Sequence, residues 1–349
     1  MKIEKKVLAN LTKCYSIAPL KYQGKDFILV AAEKQDRCIL FDMDGNEVDT
    51  LWNEPGGVMS MQQVPNSDGV FLATHKFYSQ NDSSEAKIMI IRPISKGNWE
   101  RKVLVELPFV HRFGILNRNG VNYLIACTIK SGHEYRDDWS KPGKVLACVL
   151  PNDLSSYGDE KQLELKVIKD DMLKNHGFYM IKKDDYDTAL VACDNGVFRF
   201  TPPENEKGEW EIEELVDVPA SDCTLVDIDN DKEDELVVIA PFHGDNISFY
   251  RKQNGKYTKF YDYGKKVEFV HSIFGGNVLG EPVVVIGHRR GEMDLILFRW
   301  NKEKGEIEST LIDSGKGSAN VYKYEYNGRE YLISTNRETD EIARYEFKK

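Results

Sequence analysis

The sequence predicts an all-β fold, a seven-bladed β-propeller closed by an N-terminal strand that completes the last blade. Three observations carry this reading. An apolar strand recurs seven times, hairpin dipeptides separate the strands, and the two chain ends complement each other.

The recurring strand is read at residues 27–32, 70–74, 123–127, 189–193, 236–240, 282–287 and 331–335. The repeats are spaced by roughly 40 to 65 residues, the range of four-stranded blades. The turns read Asp44-Gly45, Asn119-Gly120, Asn254-Gly255 and Asn327-Gly328, dipeptides that supply the positive φ of tight hairpins. Helical periodicity is nearly absent, and only 161–172 is ambiguous. The last unit ends after its third strand, 341–347, while a spare strand at 5–11 precedes the first. Pairing the two leaves no open sheet edge. One domain spans 1–349, with blades near 12–53, 54–107, 108–173, 174–218, 219–266, 267–317 and 318–349 plus 1–11.

With 41% hydrophobic residues and 26 glycines, 349 residues suffice for one large core. The net charge of −10 argues against nucleic acid or an anionic membrane as partner, since both need a concentrated basic face. The N-terminus lacks the apolar stretch of a secretory signal, which implies a cytoplasmic protein. The six cysteines are scattered without a CxxC pair and read as buried thiols.

In a propeller, the start of each inner strand and the loop after each second strand share one face. Ligand-directed side chains should come from those two places. The first place holds Tyr15, Met59, His111, His176, Cys223, His271 and Asn320. The second holds Glu33, His75, Thr128, Asp194, Pro241, His288 and Asn336, with His133 and His243 a little later. A single histidine is ordinarily a surface or core residue, but all seven share this address. Neutral imidazole ligates zinc or manganese and takes up protons near neutral pH. Glu33, Asp194, Asp137 and Asp138 supply acids at the same level, and Arg112, Arg289 and Arg290 can anchor substrate oxygens. Tyr78, Tyr135, Trp139 and Phe178 can stack on sugar rings, and the long loop 131–143 can cover the channel mouth.

On the opposite face, Asp227, Asp229, Asp231 and Glu235 have the spacing of a Ca²⁺ or Mg²⁺ loop. The segment resembles the acidic loops of FG-GAP and VCBS repeats, with Lys232 in place of the usual glycine. Nucleotide-binding and hydrolase motifs are missing, as are WD dipeptides at blade ends.

Glu54-Pro55-Gly56-Gly57-Val58-Met59-Ser60, His111-Arg112-Phe113-Gly114 and Asp137-Asp138-Trp139-Ser140-Lys141-Pro142-Gly143, with His176-Gly177 and Gly287-His288-Arg289, resemble the propeller part of the aldos-2-ulose dehydratase/isomerase family. Those enzymes, also called 1,5-anhydro-D-fructose dehydratases, use metal and act on keto-sugars; the fungal type carries further domains. The resemblance implies a metal-dependent sugar dehydratase or isomerase with a small carbohydrate substrate. Elimination beside a ketone needs a base, a carbonyl electrophile and an acid for the leaving hydroxyl. The expected metal ligands are His111, His176 and His271. His75, His288, Tyr78 and Tyr135 would move protons, while Arg112, Arg289, Glu33, Asp194, Trp139, His243 and His133 would bind substrate. A uronate lyase and a non-catalytic sugar- or protein-binding propeller are the alternatives.

Overall fold

The computed structural model describes residues 1–349. It is a seven-bladed propeller: seven antiparallel sheets of four strands each, with one 3-10 turn at Arg337–Thr339. No helix is long and apolar enough to cross a membrane. The ambiguous segment resolves as strand, with Lys166–Met172 forming the outer edge of blade 3.

Closure follows the predicted route. Blade 7 takes Ser318–Tyr326, Arg329–Asn336 and Glu341–Lys348 from the C-terminus and Lys2–Asn10 from the N-terminus. The two ends pair from Lys2 with Lys348 to Asn10 with Glu341. The seam is also packed, because Leu11, Ile28, Val30 and Phe41 meet Tyr331, Ile333 and Ile342 in one cluster.

The second strands carry the core. Thr188–Cys193 and Phe71–His75 are buried at every position, because blades pack on both of their faces. The outer strand Lys2–Asn10 has no buried residue, so it tolerates alternating charge.

Gly56 and Gly57 have a steric origin. Their segment threads between two blade ends, where Gly57 N–H donates to the Glu33 carbonyl and Lys76 N–H to the Gly56 carbonyl. A Cβ on Gly56 would lie 1.3 Å from the Lys34 carbonyl oxygen, and one on Gly57 would lie 2.3 Å from the Phe77 nitrogen at φ +74°. Gly56→Ala should therefore cost about 3 kcal/mol or more, read as a lowered denaturant midpoint. A change below about 1 kcal/mol would show that these strand ends yield freely.

A recurring distortion at the top of the inner strands positions the site. Tyr15, His111, His271 and Ala319 each fall at a register shift against the second strand. Such a bulge leaves its extra residue outside the ladder and re-aims the side chain. Two positions earlier, Lys13, Phe109, Phe269 and Gly317 adopt left-handed backbone, and Gly57 and Lys174 do the same before Met59 and His176. The ring around the channel is thus Tyr15, Met59, His111, His176, Ser221, His271 and Ala319. Ser221 and Ala319 replace the predicted Cys223 and Asn320. Cys223 pairs with Val238 and Asn320 with Thr335, within the ladder below the ring.

Candidate functional site

The ring is bonded from blade to blade. His111 Nδ1 lies 3.1 Å from the His176 carbonyl oxygen, His176 Nδ1 2.9 Å from that of Ser221, and His271 Nδ1 2.7 Å from that of Ala319. A carbonyl only accepts, so each Nδ1 carries the proton and each Nε2 keeps a lone pair. The Met59 carbonyl accepts from Arg112 Nη1 at 2.6 Å, and that of Tyr15 accepts from Asn320 Nδ2 at 2.9 Å.

Three imidazoles converge. Ligand nitrogens of His176, His243 and His271 lie within 4.8 Å of one another, and the Nε2 atoms of His176 and His243 are 3.2 Å apart. Two nitrogens on one tetrahedral zinc, at about 2.0–2.1 Å each, are separated by about 3.3 Å. The backbone carbonyls that orient His176 and His271 are the outer partners typical of histidine ligands. His243 replaces the predicted His111 in this trio. His111 instead packs between Phe77 and His176, with tilted rings at centroid distances of 4.9 and 4.6 Å.

The trio is neutral at physiological pH. Burial, reinforced by Arg112, lowers the His176 pKa to about 3. Burial also pushes His243 and His271 well below the usual histidine range; neighbouring His176 and Arg289 respectively are the next causes. Neutral donors suit a cation, and three of them leave a position open for water or substrate. His243 sits at φ 49° between the rings of Phe242 and Phe269, at 4.0 and 4.2 Å. Trp139 of the long loop packs on Phe242 at 5.3 Å, so that loop does reach the cover of the site.

Two further groups stand beside the trio. The Tyr15 hydroxyl lies 3.1 Å from His271 Nε2 and accepts a long contact of 3.5 Å from Arg112 Nη2. Burial raises the Tyr15 pKa, which keeps this hydroxyl a donor. Asp222, on the inner strand of blade 5, is raised to about 7 by burial despite the pull of Arg112. Tyr15 was legible as a ring residue, whereas Asp222 had no signal apart from its position.

The other predicted residues are outside the trio, and of these Arg289 borders it through Phe269. His75 is the last residue of its strand and packs on Trp52 at 4.9 Å, with Nε2 unbonded. His288 is consumed locally by the Arg290 carbonyl and the Asp294 N–H. His133 packs edge-on to Phe109 at 5.7 Å, and Tyr135 is 68% exposed. The Tyr78 backbone carbonyl accepts from Lys34. Glu33 pairs with Arg337, Asp194 with Lys174 and Arg289 with Glu338. Arg289 also lies over the Phe269 ring at 4.7 Å.

On the far face, Asp227, Asp229 and Glu235 bring oxygens within 4.8 Å of one another. Asp231 is not among them, because it caps its own turn through Glu233 N–H. Burial raises the Glu235 pKa to about 7, and the Arg251 guanidinium already contacts Asp229 at 2.9 Å.

No family model matches the chain. No curated protein sequence matches it either. Solved propellers do match in shape. The β-propeller domain of Myceliophteria thermophila Cps50 (Swd1) is 9% identical, covers 99% of this chain and 100% of its own, and gives a TM-score of 0.62. A streptogramin B lyase is 14% identical over 98% of this chain and 97% of its own, with a TM-score of 0.55. Sqt1 of Saccharomyces cerevisiae is 8% identical over 95% and 83%, with a TM-score of 0.56. At such identities these likenesses establish the seven-bladed propeller fold and nothing finer.

Proposed function

We propose that this propeller is a divalent-metal-dependent carbon–oxygen lyase acting on a small keto- or anhydro-sugar at the top of its channel. The supporting observation is the convergence of His176, His243 and His271, two of them oriented through Nδ1 by backbone carbonyls. A zinc-class ion held there would polarise a substrate carbonyl. Arg112 would steady the oxygen that gains negative charge, and Tyr15 would donate a proton from the His271 side. Asp222, with a pKa near neutrality, is the exchangeable base of the set. Tyr15 and Asp222 thereby take over the proton-moving roles expected of His75, His288, Tyr78 and Tyr135. Trp139, Phe242 and Phe269 offer ring faces to a sugar. The sugar class itself rests on the family resemblance, and the streptogramin B lyase is one lyase with this fold. Asp227, Asp229 and Glu235 would hold a structural Ca²⁺ or Mg²⁺ opposite.

One observation favours the non-catalytic alternative. His111, His176 and His271 are each only 2% exposed, beneath an aromatic cover. The uronate alternative needs an arginine clamp, and Arg289 is engaged by Glu338, which leaves Arg112. The deciding experiment combines metal analysis of the purified protein with assays on 1,5-anhydro-D-fructose, 3-keto sugars and uronides. The expected result is a bound divalent metal and metal-dependent ultraviolet absorbance from the keto or anhydro substrates. Absorbance from uronides alone would favour the uronate lyase. A metal-free protein silent on all three would overturn the lyase reading.

A further inference from the structure

Below the imidazoles, the channel forms a cavity of about 560 Å³. More than half of its lining residues are apolar, among them Met59, Met61, Met180, Phe113, Phe178 and Phe274. Gln62 and Asn320 also line it, but their amides bond backbone groups, and Lys323 is paired with Glu325 and Glu330. The walls thus give a sugar few free hydrogen bonds and suit a hydrocarbon body. At the inner end stand Ser16, Ser60 and Arg112, each the residue after the ring position on its blade.

No carboxylate contacts Arg112, although its field reaches Asp222. It is nine-tenths buried, yet bonds only the Met59 carbonyl at 2.6 Å and the Tyr15 hydroxyl at 3.5 Å. Of the five N–H donors of a guanidinium, three are left without acceptors, Nε among them. A buried charge in that condition is costly unless an anion completes it. The Ser16 and Ser60 hydroxyls line the same end and make no side-chain hydrogen bond. At the outer end, Lys182 borders both this cavity and a neighbouring cleft of about 1130 Å³. Asp222 holds the position matching Arg112 on blade 5, but it does not line the cavity, so the cavity offers one guanidinium for one carboxylate.

We propose that the channel binds a small amphiphilic monocarboxylate, its head on the Arg112 guanidinium and the Ser16 and Ser60 hydroxyls, its apolar body between the methionine and phenylalanine walls. The planar guanidinium fork matches one carboxylate. This site shares Arg112 with the lyase reading but needs no metal, so binding in EDTA is tested separately from metal-dependent turnover.

The test is titration calorimetry on the full chain in EDTA, with octanoate, 4-phenylbutyrate, 1-octanol and octyl phosphate as probes. One carboxylate per chain should bind, at least about tenfold more tightly than 1-octanol. Arg112→Gln should erase that margin while apolar affinity persists. If Arg112→Gln fails to fold, the comparison of octanoate with 1-octanol on the unaltered protein still decides. Equal affinity for acid and alcohol, no binding of either acid, tighter binding of octyl phosphate, or a margin retained in folded Arg112→Gln would each overturn the proposal.

Discussion

Lowering the pH from about 7 to about 5 should destabilise this protein by several kcal/mol before most of its carboxylates begin to titrate. Five histidines are held neutral by burial. His75 and His176 are lowered to about 3, and His111, His243 and His271 lie well below their ordinary value of 6.5. In the unfolded chain each takes up a proton near pH 6.5, while in the folded chain none does until far lower. Asp222 and Glu235, whose carboxyls burial raises to about 7, act in the opposite sense and offset about two of the five histidines. From about 6.5 down to about 5 the unfolded state still binds the net excess of protons, and stability falls as pH falls. Each such histidine contributes a slope of about 1.4 kcal/mol per pH unit. The net of about three removes about 4 kcal/mol per pH unit, a large part of a total stability of about 5–15 kcal/mol within two units. Thermal midpoints at pH 7.5, 6.5 and 5.5 should show a flat stretch followed by a steep drop. His75→Leu should flatten the drop by about one histidine's slope without touching the imidazole trio. A midpoint unchanged down to pH 4.5 would mean that the folded chain takes up these protons after all.

The second large effect concerns His176. This residue touches every part of the site: its Nδ1 meets Ser221, its carbonyl meets His111 and its Nε2 meets His243. His176→Ala should weaken zinc binding by more than the roughly 100-fold that loss of an outer partner costs. His111→Ala should leave zinc stoichiometry unchanged, because His111 is outside the trio. Equilibrium dialysis of both variants against zinc decides between the ligand sets. Loss of metal in His111→Ala with retention in His176→Ala would restore the set expected from the sequence.

The fold was legible because its signals repeat. Seven buried second strands and their hairpin dipeptides each mark a blade, and the surplus strand at the start matches the deficit at the end. The site was legible only in part, because bulges break the period that anchors an alignment. On blade 5 the residue two before the ring is Pro219, without the left-handed backbone found elsewhere, and the register slipped from Ser221 to Cys223. Histidines with one topological address also diverge for a geometric reason. His75 and His288 are still on their second strands, where a side chain points towards a neighbouring blade. His243 stands beyond the strand end at Ala240, in a left-handed turn that brings its ring back over the axis. No periodicity in the sequence encodes that turn.

The seam of blade 7 sets an order of events in synthesis. Residues Lys2–Asn10 leave the ribosome well before their mate, Glu341–Lys348. While the intervening blades are made, this segment must stay unpaired without recruiting strands from other molecules. Its run of Lys2, Glu4, Lys5 and Lys6 keeps it hydrated and poorly adhesive during that interval.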